Sequence, residues 1–167
     1  MNRNFKVDEE LGRLAELELE RIITSKLSRT KVEKMPWEKV GYDLKLTAEY
    51  DGVIITQNIE VKSLAGGYAT GVIEQWADDK RTRRPHWMKM GDTDRIYFFD
   101  RSKNYWFVYD AKEVAQWIEI QPESNLRALN NNEDDSGWIL KFYWDGVGTN
   151  DSYKMPGFIK KFKGERK

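Results

Sequence analysis

The sequence predicts an α/β protein with a central mixed β-sheet, an N-terminal helix and flanking helices. Three observations predict it. A segment near the N-terminus carries apolar residues at three- and four-residue steps, the mark of a helix with one buried face. Two alternating runs then flank Asp51-Gly52, the mark of a β-hairpin. Further apolar and aromatic runs between residues 70 and 109 lead into a second helical pattern, so strands and helices interleave along the chain.

The helix is expected from about Asp8 to Leu27, with Leu11, Ala15, Leu19, Ile22 and Ile23 on its inner face and acids in its first turn, at the positive end of the helix dipole. Ser25, Ser28 and Thr30 mark its decay into a connection that ends at Met35-Pro36-Trp37. The hairpin spans Gly41 to Ser63, followed by a short third strand at Thr70–Trp76. Asp94–Asp100 and Tyr105–Tyr109 form a second hairpin across Arg101–Asn104. Ala111–Glu119 is a helix with Val114, Ala115 and Ile118 inward. Beyond Pro122, Leu126 and Leu129 predict a short helix, Trp138–Trp144 a last strand, and Tyr153–Phe162 an ordered or partner-docked tail.

A length of 167 residues suits one domain over 1–167, with a core at about 8–119 and a C-terminal extension at 120–167. A chain that is 40% hydrophobic and 13% aromatic is a poor fit to disorder. The absence of Cys excludes a disulfide framework, a thiolate zinc site and a cysteine nucleophile. The single His removes most His-based zinc sites and makes a Ser-His-Asp triad a poor fit. Without an apolar run near about 20 residues, or a charged-then-hydrophobic leader, the expectation is a cytoplasmic protein with no membrane partner.

The 28 Lys and Arg balance the 28 Asp and Glu, which argues against binding nucleic acid through overall charge. The distribution is uneven. Asp8 to Glu20 is acidic, whereas Lys80, Arg81, Arg83, Arg84 and Lys89 surround His86, and the chain ends in a lysine-rich tail. The basic cluster reads either as a grip for phosphates or as a solvated face, and His86 either as a phosphate contact or base or as an ordinary loop residue. The aromatic residues are better explained by core packing than by base stacking, the basis of a third reading as a single-strand- or RNA-binding protein.

A tight two-residue turn without a bulge pairs Tyr50 with Val53, and every rung outward then keeps the two residue numbers summing to 103. Asp43 falls opposite Glu60, with Lys45 and Lys62 on the same polar face. Tyr42, Leu44, Leu46, Ile59 and Val61 lie on the other. Opposed residues have Cβ atoms roughly 4.5–5.5 Å apart, so two carboxylates there repel unless a cation neutralises them. They are placed to share a divalent ion such as Mg²⁺, with Lys62 one pleat on to orient a water or meet charge developing on a phosphate. The alternative is a solvated face on which Lys45 and Lys62 pair diagonally with the two acids.

Tyr42-Asp43-Leu44-Lys45-Leu46 followed by Asn58-Ile59-Glu60-Val61-Lys62-Ser63 resembles the core motif of the PD-(D/E)xK nuclease superfamily, with Tyr42 where the family's Pro stands. Of the five acid-x-Lys triplets in the chain, only Glu60 to Lys62 combines an apolar strand setting with an acid brought opposite. Gly12 and Glu16 match the helix of archaeal Holliday-junction resolvases, where a Gly precedes a metal-site Glu by four residues. The order of elements over about residues 8–119 looks like nuclease-fold proteins of restriction and phage systems. The resemblance implies a restriction-endonuclease-like core and a Mg²⁺- or Mn²⁺-dependent DNA endonuclease of recombination, repair or restriction, phage or mobile-element encoded. Asp43, Glu60 and Glu16 would be metal ligands and Lys62 the residue that positions the attacking water. Glu20 is the fallback for Glu16, and at most one of Glu74 and Gln75 would point at the metal. Lys80, Arg81, Arg83, Arg84 and His86 are the candidate contacts to DNA, branched or single-stranded substrates included, and a homodimer is expected by resemblance. The other reading is an inactive nuclease-fold module that binds nucleic acid or assembles with partners.

Overall fold

A computed structural model of the chain describes residues 5–64, 70–76, 85–128, 137–144 and 149–165. Helix α1, Phe5–Lys26, leads into strand β1, Thr30–Lys34, and a single turn of helix, α2, Trp37–Val40. The hairpin follows as β2, Leu44–Tyr50, and β3, Val53–Leu64. After β4, Thr70–Trp76, and the short α3, His86–Met90, come β5, Arg95–Asp100, β6, Tyr105–Asp110, and α4, Ala111–Ile120. Strands β7, Leu126–Ala128, β8, Gly137–Tyr143, and β9, Phe158–Lys163, complete the chain.

Six strands form the central sheet in the order β1-β2-β3-β5-β6-β9. β3 and β5 run parallel and every other pair antiparallel, so the sheet is mixed, as the sequence predicts. One face packs Leu44, Ile59, Tyr97, Phe99 and Trp106 against Ala15, Leu19, Ile22 and Ile23 of α1. The other packs Ile96, Phe98, Phe107 and Tyr109 against Val114, Trp117 and Ile118 of α4 and against Leu140 and Phe142 of β8. Burial on both faces is why β5 and β6 read as unbroken apolar runs rather than alternating ones. The aromatic residues there stack on one another, Phe99 on Trp106 with ring centroids 4.6 Å apart and Phe107 on Trp144 at 4.3 Å, in keeping with core packing.

The β2–β3 register is the expected one at every rung from Leu44↔Ile59 to Tyr50↔Val53. Asp51 and Gly52 both have positive φ, 49° and 76°, as a type I′ turn requires. Because β5 joins β3 only from Ile59 onward, residues 53–57 have β2 alone beside them among the described strands. Tyr50, Val53, Ile54 and Ile55 on this arm are each more than half exposed.

Three elements differ from expectation and a fourth is made specific. Residues 30–34 form an edge strand, not a loop, with Val32 alone packing inward from a run of polar neighbours. β4 does not join the central sheet but pairs with β8 in a second, three-stranded sheet, β4-β8-β7. Leu126 begins strand β7 rather than a helix, in register with Leu140 of β8, and Leu129 lies outside the described residues. Finally, the ordered tail expected at 153–162 takes a definite form, residues 158–163 adding the sixth strand beside β6 with Phe162 packed on Trp106. α4 also turns Trp117 inward, beyond the expected inner face. Among the described residues no helix is long and apolar enough to cross a membrane.

Candidate active site

The base of the hairpin brings the acid-x-Lys triplet and its partner acid together. The ladder ends at Leu44↔Ile59, one rung before the expected Asp43–Glu60 pair, because the chain entering β2 turns at Gly41, with φ 76°. Asp43 is instead fixed by three bonds: its N–H donates to Ile59 O at 2.9 Å, its carbonyl accepts from Met35 N–H at 2.8 Å, and its Oδ2 accepts from Val61 N–H at 2.7 Å. The carboxylate thus takes the ladder's place and stays beside Glu60.

Glu60 lies on β3 and is buried, with Lys62 Nζ 2.6 Å from its Oε1. The two residues share a face of the strand, as period-two alternation demands. Lys45, a possible diagonal partner of Asp43, lies in register with Glu33 on β1 and adds its charge to that residue. Glu16, in the second half of α1, reaches the same region from the helix. It is half-buried, and Lys34 Nζ stands 3.0 Å from its Oε2.

Burial pushes all three carboxyls up. The Glu60 carboxyl is raised to about 7, first by desolvation and further by Asp43 and Glu16, with Lys62 opposing. Asp43 is raised by burial against the pull of Lys62, the Val61 N–H and Lys34. Glu16 is raised by burial and then by Asp43, with Lys34 opposing. Three mutually repelling carboxylates thus face two ammonium groups, which leaves the fully ionised cluster short of positive charge.

The donors suit a hard divalent cation: all are carboxylate oxygens, and Glu16 Oε2 is fully buried, with the Lys34 ammonium group 3.0 Å away. Among the described residues no three Asp, Glu or His side chains converge to hold a metal together. The fit is therefore to a hydrated ion on two carboxylates, Asp43 and Glu60, with Glu16 bordering it. Mg²⁺ commonly keeps several waters in such sites.

Glu20 lies one turn beyond Glu16 on α1 and is partly exposed; Glu16 is the helix acid that couples to Asp43 and Glu60. Glu74 and Gln75 sit on β4, in register with Ile139 and Trp138 of the second sheet. Lys80, Arg81, Arg83 and Arg84 lie outside the described residues, and His86 opens α3. Sequence reasoning missed Lys34. It ends the unrecognised strand β1, and an exposed lysine closing a polar run gives no signal of what it meets in space.

No family model and no curated protein matches the chain. Among solved structures, the chain is similar to the bacterial homing endonuclease I-Ssp6803I, at 16% identity over 67% of this chain and 68% of that one, with a TM-score of 0.41.

Proposed function

We propose that this protein is a metal-dependent DNA endonuclease that hydrolyses phosphodiester bonds. The observation that carries the reading is the coupled pair Asp43 and Glu60, one bonded to the strand that bears the other, with Lys62 beside Glu60. The PD-(D/E)xK resemblance of these residues supports it.

Asp43 and Glu60 would hold Mg²⁺ or Mn²⁺, with Glu16 assisting from α1. A bound ion of this kind supplies a water of lowered pKa and screens the scissile phosphate. Lys62 would orient the attacking water with its ammonium group, or meet the charge that gathers on the phosphate oxygens as the 3′-oxygen leaves. Val61 N–H holds the Asp43 carboxylate in place throughout. Lys80, Arg81, Arg83 and Arg84, with His86, are the proposed backbone contacts. A cytoplasmic homodimer acting in recombination, repair or restriction, encoded by a phage or mobile element, belongs to the same proposal.

The test is incubation with supercoiled plasmid and with labelled branched, single-stranded and duplex DNA, in Mg²⁺, Mn²⁺ or EDTA. Cleavage by the wild type with metal, lost in Glu60→Ala and in Lys62→Ala, supports the reading and ranks the substrates. DNA binding without cleavage in every condition replaces it with an inactive binding module.

A further inference from the structure

The carboxylate cluster has a second ammonium group besides Lys62, and its position is built in by the fold. Lys34 is the last residue of β1, in register with Leu44 and so next to Asp43. The bond from Met35 N–H to Asp43 O, at 2.8 Å, clamps the end of β1 to residue 43. From there Lys34 reaches across to α1, with Nζ 3.0 Å from Glu16 Oε2. Its side chain is 64% exposed and that of Glu16 only 18%, so a water-facing cation covers a mostly buried anion. The other lysine of the strand, Lys31, pairs instead with Glu33 at 2.7 Å, away from the cluster.

The Glu16 oxygen that Lys34 meets at 3.0 Å is itself fully buried, so the exposed ammonium group is what balances its charge. A flexible, strongly hydrated ammonium group is a partner that can leave. We infer that Lys34 is a built-in counter-cation of this centre: it occupies the Glu16 side of the carboxylate cluster and competes there with the divalent ion, so that its charge sets how tightly the metal binds. This rests on the functional reading above. It assigns to Lys34 a role distinct from that of Lys62, which lies on the Glu60 side and is part of the proposed chemistry.

Removing the positive charge at 34 takes away a repulsion of a few ångströms' range from a dipositive ion, which tightens metal binding on the order of tenfold. A purely structural surface ion pair contributes little and predicts no change. The experiment is a calorimetric Mn²⁺ titration, without DNA, of the wild type, Lys34→Gln and Lys34→Arg. Each protein is checked by circular dichroism, and folding is not at stake at so exposed a side chain. The expected result is about tenfold tighter binding in Lys34→Gln and wild-type affinity in Lys34→Arg. Equal or weaker binding in Lys34→Gln, or tightening in Lys34→Arg as well, overturns the inference and leaves the functional reading standing. Absence of saturable binding in all three proteins overturns both.

Discussion

The Asp43 carboxylate accepts the backbone N–H of Val61 at 2.7 Å, so one acid of the candidate centre is fastened to the strand that carries the other acid and the lysine. Two functions meet in that side chain, and two substitutions separate them. Asp43→Asn keeps an oxygen for Val61 but loses the charge, whereas Asp43→Ala loses both. Both variants are expected to abolish Mn²⁺ binding. Only Asp43→Ala should also lower stability, by about 1–3 kcal/mol, because a buried N–H is left unpaired. Urea denaturation beside calorimetry reads the difference.

Glu60 makes stability depend on pH. Its carboxyl titrates near 4.5 in the unfolded chain and at about 7 in the fold, so between those values the folded state holds a proton that the unfolded state has lost. Metal-free stability is therefore full below about pH 4.5 and falls as pH rises toward 7. Glu60→Gln should flatten that slope. Metal binding must displace the same proton, so Mn²⁺ affinity should rise over the same window and level off above it. A series of urea melts and Mn²⁺ titrations from pH 5 to about 8 tests both directions.

Glu18 is a buried acid with a structural task. Its Oε1 accepts Glu165 N–H at 2.8 Å and lies 3.5 Å from Trp106 Nε1, tying α1 to the second residue beyond β9. Glu18→Ala strands those donors and should cost about 2 kcal/mol. Cleavage should survive at temperatures where the variant stays folded. Early loss of activity in a fully folded variant would contradict this assignment.

Gly12 lies inside α1, and a Cβ added there meets nothing within 4 Å. The sequence resemblance reads Gly12 as part of a motif, whereas its surroundings impose no need for glycine. Gly12→Ala should therefore stabilise the protein by about 0.5–1 kcal/mol through helix propensity, which raises Tm by a few degrees.

The parts of this molecule legible in its sequence are those where two local signals agree. The β2–β3 register followed from a turn that needs two positive φ values and from alternation that allows one phase, so Leu44 could only face Ile59. The last rung failed where the chain entering β2 turns at Gly41, and there the Asp43 carboxylate takes up the Val61 N–H instead, which no pattern announces. The edge strands were hidden for a different reason. β1 has little apolar surface to bury, and β9 is rich in lysine, a common way of blunting an exposed strand edge, so each reads as loop or tail. The pairing of β4 with β8 joins distant segments, and the approach of Lys34 to Glu16 depends on where a helix and an edge strand come to rest. The proximity of Asp43, Glu60 and Lys62 was legible because one hairpin carries them all; that of Lys34 to Glu16 was not.

The outer arm of the hairpin sets a practical limit on handling this protein. Residues 53–57, Val-Ile-Ile-Thr-Gln, carry neither charge nor proline, and their outer edge has no strand beside it among the described residues. Open edges of that composition recruit further strands, so clouding and concentration-dependent oligomers should begin there before the core loosens. A single lysine at the tip, Ile54→Lys, should raise the solubility ceiling while leaving the base of the hairpin and its carboxylates as they are.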